Sequence, residues 1–332
     1  MERLRDLDES ALLGRLFPMY AAGLDVAGDA VPVGPGDDAA VVAAPSGAVV
    51  ATTDGMVRGH DWRDEWSSGH DVGVKVAVSN LADVAAMGAE PTGLLVSLVA
   101  DPATEVSWAL DLARGISGVA AEAGVPVVGG DLSSAPAGVV VVTVTALGDL
   151  RGRRPVLRSG ARVGDVVAVC GTLGRSGGGL ALLLAGAPPG AGDALVRAHL
   201  APRSPLASGP VAAEAGATAL IDVSDGLVTD LGRVARASGV AVDLDGRVLR
   251  ERYVEGELGR CLGSTEALRQ VLAGGEEHSL VGCFPAGTDL GALPGKEWVV
   301  LGRVGEVGPA GPRVTVDGVV PDARGWDHFA GA

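Results

Sequence analysis

The chain has 332 residues, of which 47% are hydrophobic and 3% aromatic, so it is long enough for two domains with aliphatic cores. The net charge of −15 argues against nucleic acids and anionic membranes as partners, because both need a basic surface. No apolar run approaches the roughly 20 residues of a membrane span, and the charged N-terminus lacks the apolar region of a signal peptide. The 3 cysteines are scattered, which fits a reducing compartment. We therefore expect a cytoplasmic protein with no membrane or nucleic-acid partner.

Helices and strands alternate along the first part of the chain. A helix is predicted over 9–20, strands over 39–44 and 47–54, and a long helix over 70–91 that ends at a glycine and a proline. A strand at 92–100, a helix at 104–124 and strands at 125–131 and 138–148 follow. The last of these strands has apolar residues on both faces, which predicts that both faces are covered.

A basic, glycine-rich stretch at 151–165 is the candidate domain junction. Beyond it the pattern predicts strands at 165–171, 217–225, 240–245, 278–284 and 297–304, and helices at 177–187, 225–238 and 264–275. We therefore predict two domains, at residues 1–150 and 151–332.

Aspartates recur where strands end and helices begin. In apolar surroundings a carboxylate is costly unless it is paired or binds a cation, and the neighbouring sequence has too few basic residues to pair them all. Hard oxygen ligands of this kind suit Mg²⁺. Each aspartate alone has a simpler interpretation, as a helix N-cap, a turn residue or a solvated side chain. Together they favour a metal site, and the set comprises Asp37, Asp38, Asp54, Asp83, Asp131, Asp222 and Asp225.

The common phosphate-binding loops are missing from the sequence, since neither GxxxxGK[ST] nor GxGxxG spacing occurs. A glycine-rich stretch at 174–186 precedes a predicted helix and is able to present backbone N–H groups to an anion. Close packing of the helix start is the favoured interpretation of these glycines.

A set of motifs occurs in a fixed order: GDDAAV, TTDGMV, KVAVSNLADVAAMGAEP, GGDLS, LRSGARVGD, DVSDGLVTDLG, GGEEHSL and GWDHF. In this order, over residues 34–329, they resemble the thiamine-monophosphate kinases, within the superfamily of enzymes similar to aminoimidazole-ribonucleotide synthetase. The resemblance implies a two-domain α+β fold. In it the N-terminal sheets of two chains pair to form a shared barrel, and the C-terminal domain is an α/β sandwich.

The resemblance also implies an activity. A homodimer would transfer the γ-phosphoryl group of ATP directly to thiamine monophosphate, with the help of several Mg²⁺ ions. The domain at 1–150 would bind ATP and Mg²⁺ and mediate dimerisation, and the domain at 151–332 would complete the nucleotide and substrate site. Mg²⁺ between the carboxylates and the substrate phosphates would explain how so acidic a chain holds them.

Roles for individual residues follow from the same resemblance. The implied magnesium ligands are Asp38, Thr52, Thr53, Asp54, Asp83, Asp131, Asp222 and Asp225. The implied ATP contacts are Gly130, Asp131, Arg158 and Ser224, and the implied acceptor contacts are Asp61, Glu276 and Trp326. The expected catalytic residues are Asp38, Asp54, Asp131 and Arg158, the last as a bidentate phosphate clamp.

Two departures from the family pattern lie on the acceptor side. Asp61-Trp62 stands where the family usually has His-Phe, and Glu277-His278 stands in place of an Asp-Tyr pair. A kinase or synthetase of the same superfamily that acts on a different phosphorylated heterocycle therefore remains an alternative. Selenophosphate synthetases and hydrogenase-maturation proteins are disfavoured, because the sequence shows neither the N-terminal reactive cysteine of the former nor the C-terminal cysteine of the latter. A non-catalytic binding module stapled by metal ions is the alternative from a different class.

Overall fold

The computed structural model describes residues 2–7, 9–31, 41–188, 190, 192–323, 325 and 326. The chain forms two compact units. The first comprises Met1–Val84 and Glu90–Gly152, and the second comprises Ala85–Ala89 and Arg153–Ala332. Within the described ranges, no helix combines the length and the apolar character that a membrane crossing needs.

The first unit is built on a four-stranded sheet with the order β1-β4-β2-β3. Its strands are β1 (Val50–Val57), β2 (Glu90–Ala100), β3 (Val127–Ser134) and β4 (Val140–Asp149). Strand β4 is antiparallel to β1 and β2, whereas β3 is parallel to β2. The helices of this unit are α1 (Glu9–Ala27), α2 (Gly69–Ala86) and α3 (Val106–Ala123). The parallel pair of β2 and β3 needs a crossover connection, which α3 provides. Strands β1 and β3 therefore form opposite edges of the sheet.

The two faces of β4 differ in burial. Alternate side chains of a strand point to opposite faces, and the buried face carries Val140, Val142, Val144 and Ala146. The other face is half-buried and carries Val141, Thr143, Thr145 and Leu147. Within a single chain, the predicted covering of both faces thus holds for one face only.

Helices α2 and α3 approach each other through glycines. A Cβ atom added at Gly73 would lie 2.2 Å from the Leu112 carbonyl oxygen, and one added at Gly115 would lie 2.2 Å from the His70 carbonyl oxygen. Both distances are far shorter than a Cβ atom tolerates, so this helix pair requires glycine at the two crossing points. The close packing fixes the position of α2, which carries Asp83.

The second unit is built on a six-stranded sheet with the order β10-β7-β9-β5-β8-β6. Strands β10 and β7 are parallel, and the other neighbouring pairs are antiparallel. The strands are β5 (Val166–Cys170), β6 (Ala219–Asp222), β7 (Ala241–Leu244), β8 (Leu280–Phe284), β9 (Trp298–Gly305) and β10 (Arg313–Val316). The helices are α4 (Arg175–Leu184), α5 (Asp193–Leu200), α6 (Ser208–Glu214), α7 (Leu227–Ser238), α8 (Gly246–Leu249), α9 (Glu257–Leu262) and α10 (Ser264–Ala273), with a π-helix at Arg250–Val254.

The structure differs from the predicted elements in several places. The strand predicted at 39–44 is wrong for residues 42–44, which are irregular, while residues 39 and 40 lie outside the described ranges. The sequence pattern does not predict α5, α6 or β10. Short helices take most of their stability from tertiary packing rather than from propensity, and Leu195 of α5 is fully buried.

Candidate active site

Strand β1 and helix α2 together hold the first group of candidate ligands, which we call the β1–α2 cluster (Thr52, Asp54, Ser79, Asn80 and Asp83). Thr52 Oγ1 donates a hydrogen bond of 2.7 Å to Asp83 Oδ2. The Asp54 N–H donates to Asn80 Oδ1 at 2.9 Å, and Ser79 Oγ donates to Asp54 Oδ2 at 3.2 Å. Asn80 is fully buried, and its amide is in turn held by the backbone of α2. The cluster therefore presents two carboxylates in fixed orientations.

The side chain of Thr53 lies on the other face of β1, because neighbouring residues of a strand alternate between faces. Its hydroxyl donates to the Val144 carbonyl oxygen at 3.0 Å and accepts from Thr145 Oγ1 at 3.0 Å. The structure thus brings Thr52, but not the Thr53 hydroxyl, into the β1–α2 cluster.

Gly130 and Asp131 lie on β3, at the opposite edge of the same sheet. Asp131 is exposed, and its Oδ2 accepts from Ser133 Oγ at 2.9 Å. A Cβ atom at Gly130 would lie 1.9 Å from the Val96 carbonyl oxygen, so the pairing of β2 with β3 requires glycine there.

The sheet register aligns these two edges. Asp54 pairs with Val144, Val144 with Val96, and Val96 with Gly130, so Asp54 and Gly130 lie in one row across the sheet. Asp131 lies in the next row. Three interstrand spacings, about 14 Å, separate the two edges, which is far beyond the span of one Mg²⁺ coordination sphere. Within one chain, Asp54 and Asp131 therefore do not share an ion.

No group of three or more His, Cys, Asp or Glu side chains among the described residues is placed to hold a metal ion. Asp38, an expected ligand and catalytic residue, lies outside the described ranges. The candidate ligands that are described fall into three places: strand β1 with helix α2, strand β3 and the second unit.

Asp61 closes the turn that follows β1. Its Oδ2 accepts from the Val57 N–H at 2.7 Å, and its own N–H donates to the Val57 carbonyl oxygen at 2.9 Å. The adjacent Trp62 is buried and stacks on Trp108, with ring centroids 6.0 Å apart. The Asp61-Trp62 pair thus has a structural use in this chain, in turn closure and packing, and the neighbouring His60 is exposed.

In the second unit, the loop between β6 and α7 carries three candidate site residues, Asp222, Ser224 and Asp225. Asp222 is 3% exposed, and its Oδ2 lies 3.1 Å from His278 Nδ1. Asp225 forms an ion pair with Arg233. Both carboxylates are therefore held by a basic neighbour.

Asp230 shapes this loop from the first turn of α7. Its Oδ2 accepts from the three consecutive backbone N–H groups of residues 224–226, at 3.0 to 3.1 Å, and its other oxygen pairs with Arg233. Burial, and then repulsion from Asp222, raises the pKa of Asp230 to about 7, against the attraction of Arg233. Asp230 is therefore committed to the loop rather than to a ligand.

The segment before β8 has an unusual backbone. Glu276 and His278 have positive φ angles of 57° and 51°, which non-glycine residues rarely adopt. Between them the buried Glu277 accepts from Thr172 Oγ1 at 2.7 Å and from the Ser176 N–H at 2.6 Å. Burial raises the pKa of Glu277, although both hydrogen bonds act in the opposite direction. The Ser176 N–H at the start of α4 thus binds a carboxyl group of the protein itself.

Backbone hydrogen bonds join four of the expected contact residues in the second unit. The Glu276 N–H donates to the Ser224 carbonyl oxygen at 2.7 Å, and the Trp326 N–H donates to the Asp225 carbonyl oxygen at 3.0 Å. Trp326 is 47% exposed. Its indole is therefore open to a ligand beside the loop that follows β6.

Arg158 lies in the exposed loop before β5. Its carbonyl oxygen accepts from Ser238 Oγ at 2.8 Å, and the same hydroxyl oxygen accepts from the Ala161 N–H at 3.1 Å. Ser238, at the end of α7, therefore fixes the backbone of the loop that carries Arg158.

Sequence reasoning does not single out Asp230 or His199, and it names His278 only as a departure from the family pattern. Each of the three contacts a candidate residue or its loop. An acidic residue in the first turn of a helix is a signal for capping. The position of Asp230 in the first turn of α7 is therefore a signal in the sequence for its structural role. The histidines give no such signal, because their partners are distant in sequence; Asp222 is 56 residues from His278.

The chain matches known proteins along most of its length. A family model described as AIR synthase related protein, N-terminal domain, matches residues 36–150. The thiamine-monophosphate kinase of Mycobacterium tuberculosis is 45% identical over 300 residues, which cover 90% of this chain and 84% of that protein.

Solved structures resemble this chain as well. The crystal structure of thiamine-monophosphate kinase from Stenotrophomonas maltophilia is 29% identical with a TM-score of 0.79, and the match covers 95% of this chain and 98% of that chain. AaThiL, solved in complex with AMPPCP and TMP, is 29% identical with a TM-score of 0.71, and the match covers 99% of each chain.

Proposed function

This chain belongs to the thiamine-monophosphate kinase family, and from that premise we propose that it transfers the γ-phosphoryl group of ATP to thiamine monophosphate, forming thiamine diphosphate and ADP. The observation that carries this function is the 45% identity to a kinase of that name across 90% of the chain. The similar AaThiL structure holds AMPPCP, an analogue of ATP, together with TMP. Both observations favour a kinase over a non-catalytic module.

The acceptor supplies its own nucleophile. The second pKa of a phosphate monoester is about 6, so the acceptor phosphate is mostly dianionic at pH 7. A strong general base is therefore not required, and the reaction depends on positioning and charge neutralisation. We infer direct in-line transfer as the simpler mechanism, with Arg158 as the clamp on a phosphate.

The cationic end of thiamine suits Glu276 and Trp326. The thiazolium ring carries a permanent positive charge, which attracts both a carboxylate and the face of an indole. Both side chains are partly exposed, 34% for Glu276 and 47% for Trp326. Asp61 is the weakest candidate of the three expected acceptor contacts, because its carboxylate closes a turn.

The donor set fits Mg²⁺. The β1–α2 cluster offers hydroxyl and carboxylate oxygens, which are the hard ligands that this ion takes. Bound Mg²⁺ would neutralise the phosphate oxygens of both substrates. We assign several Mg²⁺ ions to Asp38, Thr52, Asp54, Asp83 and Asp131, with Asp222 and Asp225 as further ligands. Thr53 would contribute its carbonyl oxygen, because its hydroxyl lies on the other face of β1.

We also propose a homodimer in which the β1 edge of one chain lies beside the β3 edge of its partner, as in a shared barrel. The candidate ligands of one sheet stand in adjacent rows at opposite edges, and the second face of β4 is only half-buried. Closing two sheets into one barrel would bring the β1 edge of one chain beside Gly130 and Asp131 of the other. It would also cover the half-buried face of β4. Each active site would then contain residues of both chains.

An acceptor panel tests the activity. The purified protein, ATP and Mg²⁺ are incubated with thiamine monophosphate, with unphosphorylated thiamine or with another phosphorylated heterocycle such as pyridoxal phosphate, and the products are separated by chromatography. We expect thiamine diphosphate and an equal amount of ADP with thiamine monophosphate alone. Faster ADP release with another phosphorylated heterocycle would favour the alternative kinase.

A further inference from the structure

His199 lies in the last turn of α5 and is 6% exposed. Its Nδ1 lies 3.4 Å from Glu276 Oε2 and 3.2 Å from Ser176 Oγ. An ionised carboxylate offers only hydrogen-bond acceptors, so the proton between the two side chains belongs on Nδ1. Contacts of this kind are often long before the substrate binds and shorten in the complex.

The backbone around Glu276 is fixed, but the backbone alone does not place the carboxylate. The Glu276 N–H is bonded to the Ser224 carbonyl oxygen at 2.7 Å, and the next residue, Glu277, is anchored to Thr172 and Ser176. Rotatable bonds separate the Glu276 carboxylate from this backbone, and each has several staggered positions. A contact at the far end of the side chain is needed to select one of them, and His199 supplies it.

His199 itself is held by close helix packing. A Cβ atom added at Gly179 of α4 would lie 2.1 Å from the Leu195 carbonyl oxygen and 3.0 Å from the His199 Cβ. Helices α4 and α5 therefore meet at this glycine with the histidine beside it. The glycines at the start of α4 thus serve packing, and the packing places an imidazole beside Glu276.

We propose that His199 is a positioning residue of the acceptor site, which orients the Glu276 carboxylate toward the cationic ring of the acceptor. The inference rests on the proposed function, since it needs Glu276 to contact that acceptor. It predicts that substitution of His199 changes the KM for the acceptor and leaves the KM for ATP unchanged.

Three substitutions separate positioning from packing. The amide of asparagine donates near the position of Nδ1, whereas the amide of glutamine donates near that of Nε2. His199→Asn should keep the KM for thiamine monophosphate within about 3-fold of the wild type, while His199→Gln and His199→Leu should raise it about 10-fold. The KM for ATP should stay unchanged in all three. His70→Leu, which changes an exposed histidine of α2, is the matched control and should alter neither KM.

A double substitution shows whether His199 acts through Glu276. In a Glu276→Ala background, His199→Gln should raise the acceptor KM no further, because the group it orients is gone. Additive effects, or a lower Tm in every variant with an unchanged acceptor KM, would overturn the inference. A wild-type protein that does not phosphorylate thiamine monophosphate would instead overturn the proposed function. An active wild type whose His199→Gln and His199→Leu variants keep its acceptor KM would overturn this inference alone.

Discussion

The carboxylates of Asp54 and Asp131 are exposed, and each accepts a hydrogen bond from a nearby serine hydroxyl. Asparagine removes the charge while keeping the shape, so packing should be preserved. Asp54→Asn and Asp131→Asn, together with Asp38→Asn, should each lower kcat by at least roughly 100-fold, because charge neutralisation in the transition state is lost. Steady-state kinetics at saturating substrates measures the loss, and thermal melts should show little change in Tm.

Asp111→Asn is the control for these three substitutions. Asp111 is a surface carboxylate of α3 that pairs with Arg114, and exposed pairs contribute little to stability. Its kcat should equal that of the wild type. Near-normal turnover in Asp38→Asn, Asp54→Asn and Asp131→Asn at ordinary Mg²⁺ would contradict the metal site.

Trp326 offers a second single-residue test. An indole face attracts a cation by roughly 0.5–2 kcal/mol, and ATP has no comparable cationic ring. Trp326→Ala should therefore raise the KM for thiamine monophosphate by about 3- to 30-fold, leave the KM for ATP nearly unchanged and barely alter Tm. Trp326→Phe should recover part of the loss. If Tm falls by several degrees while both KM values hold, the residue is a packing anchor and not an acceptor contact.

At the scale of elements, the α2–α3 crossing allows a test with two glycines. At Gly73 an added methyl would meet the Leu112 carbonyl oxygen, whereas Gly118 on α3 has open space around the Cβ position. Gly73→Ala should destabilise the fold by about 1–3 kcal/mol, as overpacking does. Gly118→Ala should stabilise it by about 0.5–1 kcal/mol through helix propensity. Chemical denaturation of both variants measures the difference, and equal effects of the two would show that the helices do not meet closely.

The sequence predicts the elements with strong periodicity and misses those that depend on packing. The long helix predicted at 70–91 is α2, and the valine-rich strand at 138–148 is β4, although both bounds differ by a few residues. The irregular residues 42–44 have the composition of a strand, because apolar content alone does not show whether a partner strand is present. The short helix α5 owes its stability to contacts that sequence patterns do not reveal.

The candidate site shows the same division. Asp54 and Asp83 are recognisable as candidate ligands from their motifs, and their pairing with Ser79 and Thr52 depends on local geometry of β1 and α2. The placement of Asp131 at the far edge depends on strand order, which the sequence does not contain. In the same way, no local pattern links His199 to Glu276.

At the scale of the whole molecule, we expect a dimer. One face of β4 is only half-buried, and candidate ligands lie at both edges of the sheet. A second chain would cover this face and bring the two edges together. Most soluble homo-oligomers are symmetric dimers. Light scattering at micromolar concentration should give twice the mass of one chain, and a monomeric mass would count against the shared barrel.

The activity of a mixed dimer is the most direct test of an active site built by both chains. Asp54→Asn and Asp131→Asn chains with different affinity tags are co-expressed, and heterodimers are isolated by two successive affinity steps. One active site would then carry both substitutions, and the other would carry neither. A heterodimer of Asp54→Asn with Asp83→Asn is the control, because both residues belong to the β1–α2 cluster and each site would carry one substitution.

The Asp54→Asn/Asp131→Asn heterodimer should form thiamine diphosphate at about half the wild-type rate, since one of two symmetric sites is intact. The control heterodimer should be as inactive as each mutant homodimer. A mixed dimer of correct mass with no more activity than the two mutant homodimers would contradict a phosphoryl-transfer site built by both chains.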